Sequence, residues 1–173
     1  LLDRTGTELG DGTLCEVIRR EAIEAEIKKL RDGEEPQQFV ACSAPWDRNI
    51  LVNAGPGAGK TYVLMMRAAH LIHEQGLPPR SVLILAFNRA VVHEIRRRIN
   101  KLFEQLGLGG YASRLQIHTF HAFSLKCLPR IPSDSLNEHF SKFVAKCVND
   151  PAFCKGEVVG GLRAVLVDEF QDM

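Results

Sequence analysis

Ala54-Gly55-Pro56-Gly57-Ala58-Gly59-Lys60-Thr61 is a glycine-rich run that ends in a lysine and a hydroxyl residue. Those residue types in that order suit a phosphate. Glycines let successive backbone N–H groups converge on an anion with no Cβ in the way. A helix starting at the end of the run adds the partial positive charge of its N-terminus. Lys60 is placed to reach β- and γ-phosphates, and Thr61 to put its hydroxyl on Mg²⁺. The pattern GxxxxGK[ST] wants glycine where this chain has Ala54. The plainer alternative is a glycine-rich turn with an incidental Lys-Thr pair. The flanks favour the phosphate: residues 50–52 (Ile-Leu-Val) read as a buried strand. Residues 61–75 read as a helix with Val63, Leu64, Ala68, Leu71 and Ile72 inward.

A second candidate lies 108 residues beyond Lys60, where Ala164-Val165-Leu166-Val167 runs into Asp168-Glu169. A carboxylate at a strand tip can hold Mg²⁺ through a water. The acid beside it can orient and deprotonate an attacking water. Two adjacent acids are otherwise a solvated turn.

Two further segments follow apolar strands. Leu85-Ala86-Phe87-Asn88-Arg89-Ala90 ends one, and His118-Thr119-Phe120-His121-Ala122-Phe123 follows another. In a parallel sheet the carboxyl ends of the strands share one edge. Aromatic rings there can stack on unpaired bases, while amide, hydroxyl and Arg groups take phosphates. Phe87 and Phe120 fit either that role or a core role; Phe123 fits the core better. Arg96-Arg97-Arg98 reads as a solvated helix face.

These sites need elements to carry them. Residues 14–30 space Leu14, Val17, Ile18, Ile23, Ile27 and Leu30 as an amphipathic helix. Residues 81–87 form a continuous apolar strand of the kind buried on both faces. Asn88 can cap a following helix whose inward positions are Val92, Ile95, Ile99, Leu102 and Leu106. Residues 115–118 read as a weaker strand. Ser135-x-x-Glu138 reads as a capping box ahead of Phe140, Phe143, Val144 and Cys147. Strands alternating with helices imply an α/β fold with a parallel sheet.

Composition bounds the rest. With 173 residues, 45% hydrophobic and 25% charged, the chain is ordinary globular material and holds one sizeable core. No apolar run approaches the ~20 residues that span a bilayer, so no membrane role is expected. The five cysteines (Cys15, Cys42, Cys127, Cys147, Cys154) are odd in number and form no CxxC, which fits reduced thiols in a bacterial cytoplasm or a nucleus. Net charge is +1 overall, but −4 over residues 1–40, +8 over 41–130 and −3 over 131–173. A basic middle suits a polyanion, or is a set of solvated helix faces.

Four segments in this order resemble the opening motifs of the UvrD/Rep-like superfamily 1 DNA helicases: AGPGAGKT (54–61), LAFNRA (85–90), HTFHAF (118–123) and VLVDEFQD (165–172). The stretch QFVACSAP is similar to that family's glutamine motif, with Gln38 lying 22 residues before Lys60. The resemblance covers about 38–173. It implies a P-loop NTPase, the RecA-like parallel sheet of a first motor lobe, over residues 36–173. Residues 1–35 would be an N-terminal extension with an amphipathic helix, and 129–161 a reduced helical insertion. It further implies ATP and Mg²⁺ as cofactors, with Gln38 reading adenine. Gly55, Gly57, Ala58, Gly59, Lys60 and Thr61 would cradle phosphate, and Thr61 and Asp168 would hold the metal. Lys60, Asp168 and Glu169 would serve catalysis, and Gln171 would couple the nucleotide site to its surroundings. Phe87, Asn88, Arg89, Thr119, Phe120 and His121 would line a single-stranded DNA edge, with RNA not excluded. Relatives commonly carry Arg after the Lys-Thr pair to help hold the nucleotide; here Tyr62 takes that place and is the candidate for that contact. Only 41 residues run from Phe123 to Ala164, where relatives insert a sizeable helical subdomain.

Leu1 in place of Met, and an end close behind the acidic motif, lead us to expect a portion of a longer protein whose second RecA-like lobe lies elsewhere in the parent chain. The expected activity is DNA-dependent ATP hydrolysis and strand movement by the parent protein, with the portion alone poorly active. Alternatives are a regulatory or defence ATPase that senses nucleic acid or nucleotide without unwinding, a helicase–nuclease subunit, and an inactive DNA-binding scaffold.

Overall fold

A computed structural model of the chain describes residues 11–33 and 36–169. It divides into two compact units. One runs to Gly76 and takes in Ile99–Ser113; the other is Leu77–Arg98 with the residues from Arg114 onward.

The first unit is helical among the described residues. It holds α1 (Asp11–Asp32), α2 (Pro36–Ser43) and α3 (Lys60–His73). Along the C-terminal half of α1, Ala22, Ile23, Glu26 and Ile27 turn inward while Glu21, Glu24, Lys28 and Lys29 face solvent. That spacing is the 3.6-residue period of a packed helix. Ile23 is fully buried, as are Cys42 on α2 and Met66, Ala68 and Ala69 on α3. The chain between α2 and α3 departs from expectation. Residues 50–52 form no strand, and Leu51 is 80% exposed. A strand needs a ladder partner, and among the described residues this unit contains no other strand.

The second unit carries the sheet. β1 (Val82–Ala86) leads into α4 (Arg89–Gln105), whose C-terminal part belongs to the first unit together with the short α5 (Gly109–Ala112). β2 (Gln116–Thr119) and α6 (Phe120–Cys127) follow. Then come α7 (Leu136–Asn149), α8 (Pro151–Lys155), α9 (Glu157–Gly160) and β3 (Ala164–Val167). The sheet order is β2-β1-β3, and both pairings are parallel. Every residue of β1 is buried, as a central strand covered on both faces requires. Leu83, Leu85 and Phe123 centre a core, with Phe120, Phe143, Val158, Leu162 and Val167 packed against it.

Local signals explain the starts of these helices. The Asn88 side chain accepts a hydrogen bond from Val91 N–H at 2.9 Å. The Thr119 hydroxyl accepts from Ala122 N–H at 3.2 Å. Ser135 and Glu138 form a complete capping box, with Glu138 accepting from Ser135 N–H at 2.7 Å. The insertion at 129–161 holds three helices, the last two of 5 and 4 residues.

Candidate functional site

The loop ahead of α3 bends through two left-handed residues, Gly57 (φ 79°) and Gly59 (φ 76°). Such angles strain any residue with a Cβ, and they aim successive amides into one concavity. Gly59 is the N-cap of α3, so Lys60, Thr61 and Tyr62 form its first turn. The amides of that turn have no intrahelical acceptor and present the positive end of the helix dipole. Lys60 Nζ curls back over the loop, donating to Ala54 O at 3.2 Å and Gly55 O at 3.3 Å. The loop therefore brings together an ammonium, a hydroxyl and a helix N-terminus. The ammonium and the helix N-terminus fit a triphosphate, and the hydroxyl is the one oxygen among the three groups able to ligate a hard cation that arrives with it.

Gln38 on α2 meets the same loop. Its side-chain amide donates to Ala58 O at 3.1 Å. A Cβ built on Gly59 would meet that nitrogen at 3.4 Å, an ordinary contact, so the left-handed φ and not lack of space calls for glycine there. Arg67, on α3 and 6% exposed, fixes where α2 ends. Its guanidinium donates to Cys42 O at 3.1 Å, to Pro45 O at 2.9 Å and to Ala44 O. A cation at a helix C-terminus satisfies carbonyls that have no partner within the helix. Burial pulls the Arg67 pKa down, and burial pushes the Cys42 thiol up to about 12. Cys42 is thus an inert packing group. Sequence reasoning missed Arg67; the available signal was a lone cation between Met66 and Ala68 on the inward stripe of α3.

Tyr62, one residue past the Lys-Thr pair, points elsewhere. Its hydroxyl donates to Glu26 Oε1 on α1 at 2.7 Å. Burial, then the Glu26 carboxylate, pushes its pKa well up. At the position where a nucleotide contact is expected, the side chain ties α3 to the N-terminal helix. That helix packs on both α2 and α3.

In the second unit, Asp168 follows β3 directly and is 5% exposed. Its N–H donates to Leu85 O at 2.9 Å, which extends the β1–β3 ladder to the acid itself. Glu169 has φ 52° and is the one non-glycine residue with positive φ among those described. A left-handed glutamate at a strand end is a costly turn, of the sort that clusters at functional sites. Gln171 lies outside the described residues.

The carboxyl ends of β1 and β2 open a groove of about 290 Å³ lined by Phe87, Asn88, Arg89, Thr119, His121, Ala122, Leu125 and Leu136. The register that pairs Ala86 with Thr119 sets the two loops side by side. Phe87 is 56% exposed, so its ring is available to a ligand. His121 Nε2 donates to Asn137 Oδ1 at 3.0 Å, which orients the imidazole from α7. Five of the six residues expected on a strand-binding edge line this groove. Phe120 does not: it packs on the core and meets Phe140 edge-on at 6.1 Å. Phe123 is in the core, as expected. Of the arginine triplet, Arg97 and Arg98 pair with Glu94 on the exposed face of α4, while Arg96 donates to Ile117 O at 2.6 Å.

No helix among the described residues is long and apolar enough to cross a membrane. Comparison with known proteins places these features. The ATP-dependent DNA helicase SRS2 of Saccharomyces cerevisiae is 37% identical over 94 residues, which is 54% of this chain and 8% of the relative. A probable DNA helicase of Mycoplasma pneumoniae is 38% identical over 119 residues, 64% of this chain and 21% of the relative. The ATP-dependent DNA helicase PcrA of Bacillus subtilis is 32% identical over 114 residues, 65% of this chain and 15% of the relative. The chain thus spans a small share of the length of these relatives. Residues 34–150 match the UvrD/REP helicase N-terminal domain. That segment runs from the glutamine helix through the glycine loop and the groove to the end of α7, and with it the chain belongs to the UvrD/REP helicase N-terminal domain family.

Proposed function

We propose that this chain is the ATP-binding portion of an ATP-dependent DNA helicase, built as the first RecA-like P-loop lobe of a two-lobe motor. The observation that carries the reading is the loop at 54–61. Two left-handed glycines deliver Lys60 and Thr61 onto the first turn of α3, and the Gln38 amide is fastened to that loop at Ala58. A phosphate cradle beside an amide able to read adenine is what an ATP site requires.

In this reading the loop amides and Lys60 hold the phosphates. The Thr61 hydroxyl and the Asp168 carboxylate are the few hard oxygen donors that Mg²⁺ takes from protein when phosphates supply the rest. When bound, MgATP supplies the phosphoanhydride that water breaks by in-line attack. Glu169 orients that water and accepts its proton. The groove at Phe87 and His121 holds single-stranded DNA, with a base on the Phe87 ring and phosphate on Arg89. A second lobe in the parent chain would complete the site, so this portion alone turns over slowly.

The experiment is ATP hydrolysis by the full-length protein with and without single-stranded DNA, for wild type and Lys60→Ala. DNA-stimulated hydrolysis that Lys60→Ala abolishes is expected. Stimulated hydrolysis that survives the substitution overturns the assignment of the phosphate cradle.

A further inference from the structure

Helix α1 lies ahead of the segment that matches the family, which begins at residue 34. Nothing in the helicase reading gives it a task. Yet it packs on both elements of the nucleotide site in its unit, α2 with Gln38 and α3 with Lys60 and Thr61. Its inward stripe carries a carboxylate, Glu26, between the buried Ile23 and the half-buried Ile27. A carboxylate on a packed stripe is costly unless charge-assisted hydrogen bonds satisfy it. Two do: Lys29 Nζ at 2.7 Å from the same helix, and the Tyr62 hydroxyl at 2.7 Å from the first turn of α3. Tyr62 is the residue directly after Thr61, so the bond from α1 lands on the turn whose amides would face phosphate.

We propose that Glu26 is a positioning residue for the nucleotide site, acting through the Tyr62 hydroxyl, so that docking of α1 and binding of nucleotide at the α3 N-terminus favour each other. The proposal rests on the phosphate-cradle reading above. Its logic is linkage. If a docked α1 holds the first turn of α3 in the geometry that nucleotide selects, nucleotide must hold α1 docked by the same factor. Glu26 touches no phosphate; it acts by fixing a neighbour that shares a helical turn with Lys60 and Thr61.

The test uses the full-length protein and a fluorescent ATP analogue with Mg²⁺. Dissociation constants are measured for wild type, Tyr62→Phe, Glu26→Ala, the double variant, Glu26→Gln and Lys60→Ala. Amide hydrogen exchange is followed across residues 21–29 with and without the analogue. Tyr62→Phe and Glu26→Ala should each weaken binding about fivefold. The double variant should bind no worse than either single one, because both remove one bond. Glu26→Gln keeps an acceptor for the tyrosine and should restore most of the affinity. Nucleotide should slow exchange across 21–29 in wild type and not in Tyr62→Phe.

Unchanged dissociation constants alongside lowered melting temperatures would make the contact merely structural and overturn the proposal. Additive losses in the double variant would overturn it too, as would exchange indifferent to nucleotide. The underlying reading fails differently. If Lys60→Ala binds the analogue as wild type does, the phosphate cradle is wrong and this proposal goes with it.

Discussion

The side-chain nitrogen of Gln38 lies 3.1 Å from the carbonyl oxygen of Ala58, two residues before Lys60. One amide group thereby ties α2 to the glycine loop. Replacing it by a carboxylate, in Gln38→Glu, sets an acceptor against an acceptor and removes the donor. ATP affinity should fall about tenfold, with a smaller loss for Gln38→Ala. Titration of a fluorescent ATP analogue reads this directly, and equal affinity in all three proteins would show that the glutamine does not serve the site.

Arg67 holds three backbone carbonyls at the end of α2 from inside α3. Arg67→Met fills similar space but leaves those acceptors without their donor. Chemical denaturation should show a loss of about 3 kcal/mol. Arg67→Lys should recover only part of it, since one ammonium cannot span the fork of a guanidinium. A loss under about 1 kcal/mol for Arg67→Met would mean that other donors take over.

The Glu26–Tyr62 contact sets a pH window for α1. Lys29, and after it Tyr62, hold the Glu26 carboxyl below its ordinary value of 4.5. A depressed carboxyl contributes stability that is complete above the unfolded value and is lost as pH falls through the folded one. Tyr62 is raised from 10.0, so its contribution is complete below that value and is lost only as pH climbs through the higher folded one. Docking of α1 should therefore be flat from about pH 6 to 9 and loosen in acid below the ordinary carboxylate range. Hydrogen exchange across residues 21–29, corrected for intrinsic rate, follows this. Glu26→Gln should flatten the acid limb, and an acid limb unchanged by it would assign the transition to another group.

Phe87 and Phe120 lie at matching ends of neighbouring strands and should behave oppositely. Phe87 is 56% exposed at the groove, so Phe87→Ala should leave stability within about 0.5 kcal/mol while weakening single-stranded DNA binding about tenfold. Phe120 packs on the core, so Phe120→Ala should cost about 2–4 kcal/mol of stability first. Fluorescence anisotropy with a labelled oligonucleotide, beside thermal melting, separates the two. Comparable DNA affinity in Phe87→Ala and wild type would remove the groove from the strand-binding path.

Glu169 occupies a left-handed turn without being glycine. Glu169→Gly should raise stability by up to about 1 kcal/mol by removing that cost, while DNA-stimulated ATP turnover disappears. Glu169→Gln keeps the strain and should also lose turnover. Full turnover in either variant would disqualify the residue as the proton acceptor.

Much of this architecture is legible in the residues themselves, where one local rule decides. Asn88 and Ser135 cap helices because a short polar side chain reaches the amide three residues on, whatever the rest of the fold does. The all-buried β1 reads from its unbroken apolar run. The same rule fails for residues 50–52, because an apolar run becomes a strand only where a partner strand exists. Phe120 and Phe87 are indistinguishable by type and motif; which one faces the core is settled by how α6 starts, one residue after Thr119. Arg67 and the Glu26–Tyr62 bond are tertiary facts. A buried cation on an apolar helix hints that something must satisfy it, but the carbonyls that do so lie more than 20 residues away in sequence.

β1 is a short rod with a different tool mounted on each flank. The backbone of Asp168 is bolted to Leu85, and Phe87 emerges at the groove only two residues on, just past the end of the strand. Ladders on both sides stop that rod from flexing. If single-stranded DNA rests on Phe87 and a metal on Asp168, as proposed above, the two ligands are separated by two residues of one doubly laddered backbone, the shortest mechanical path between them.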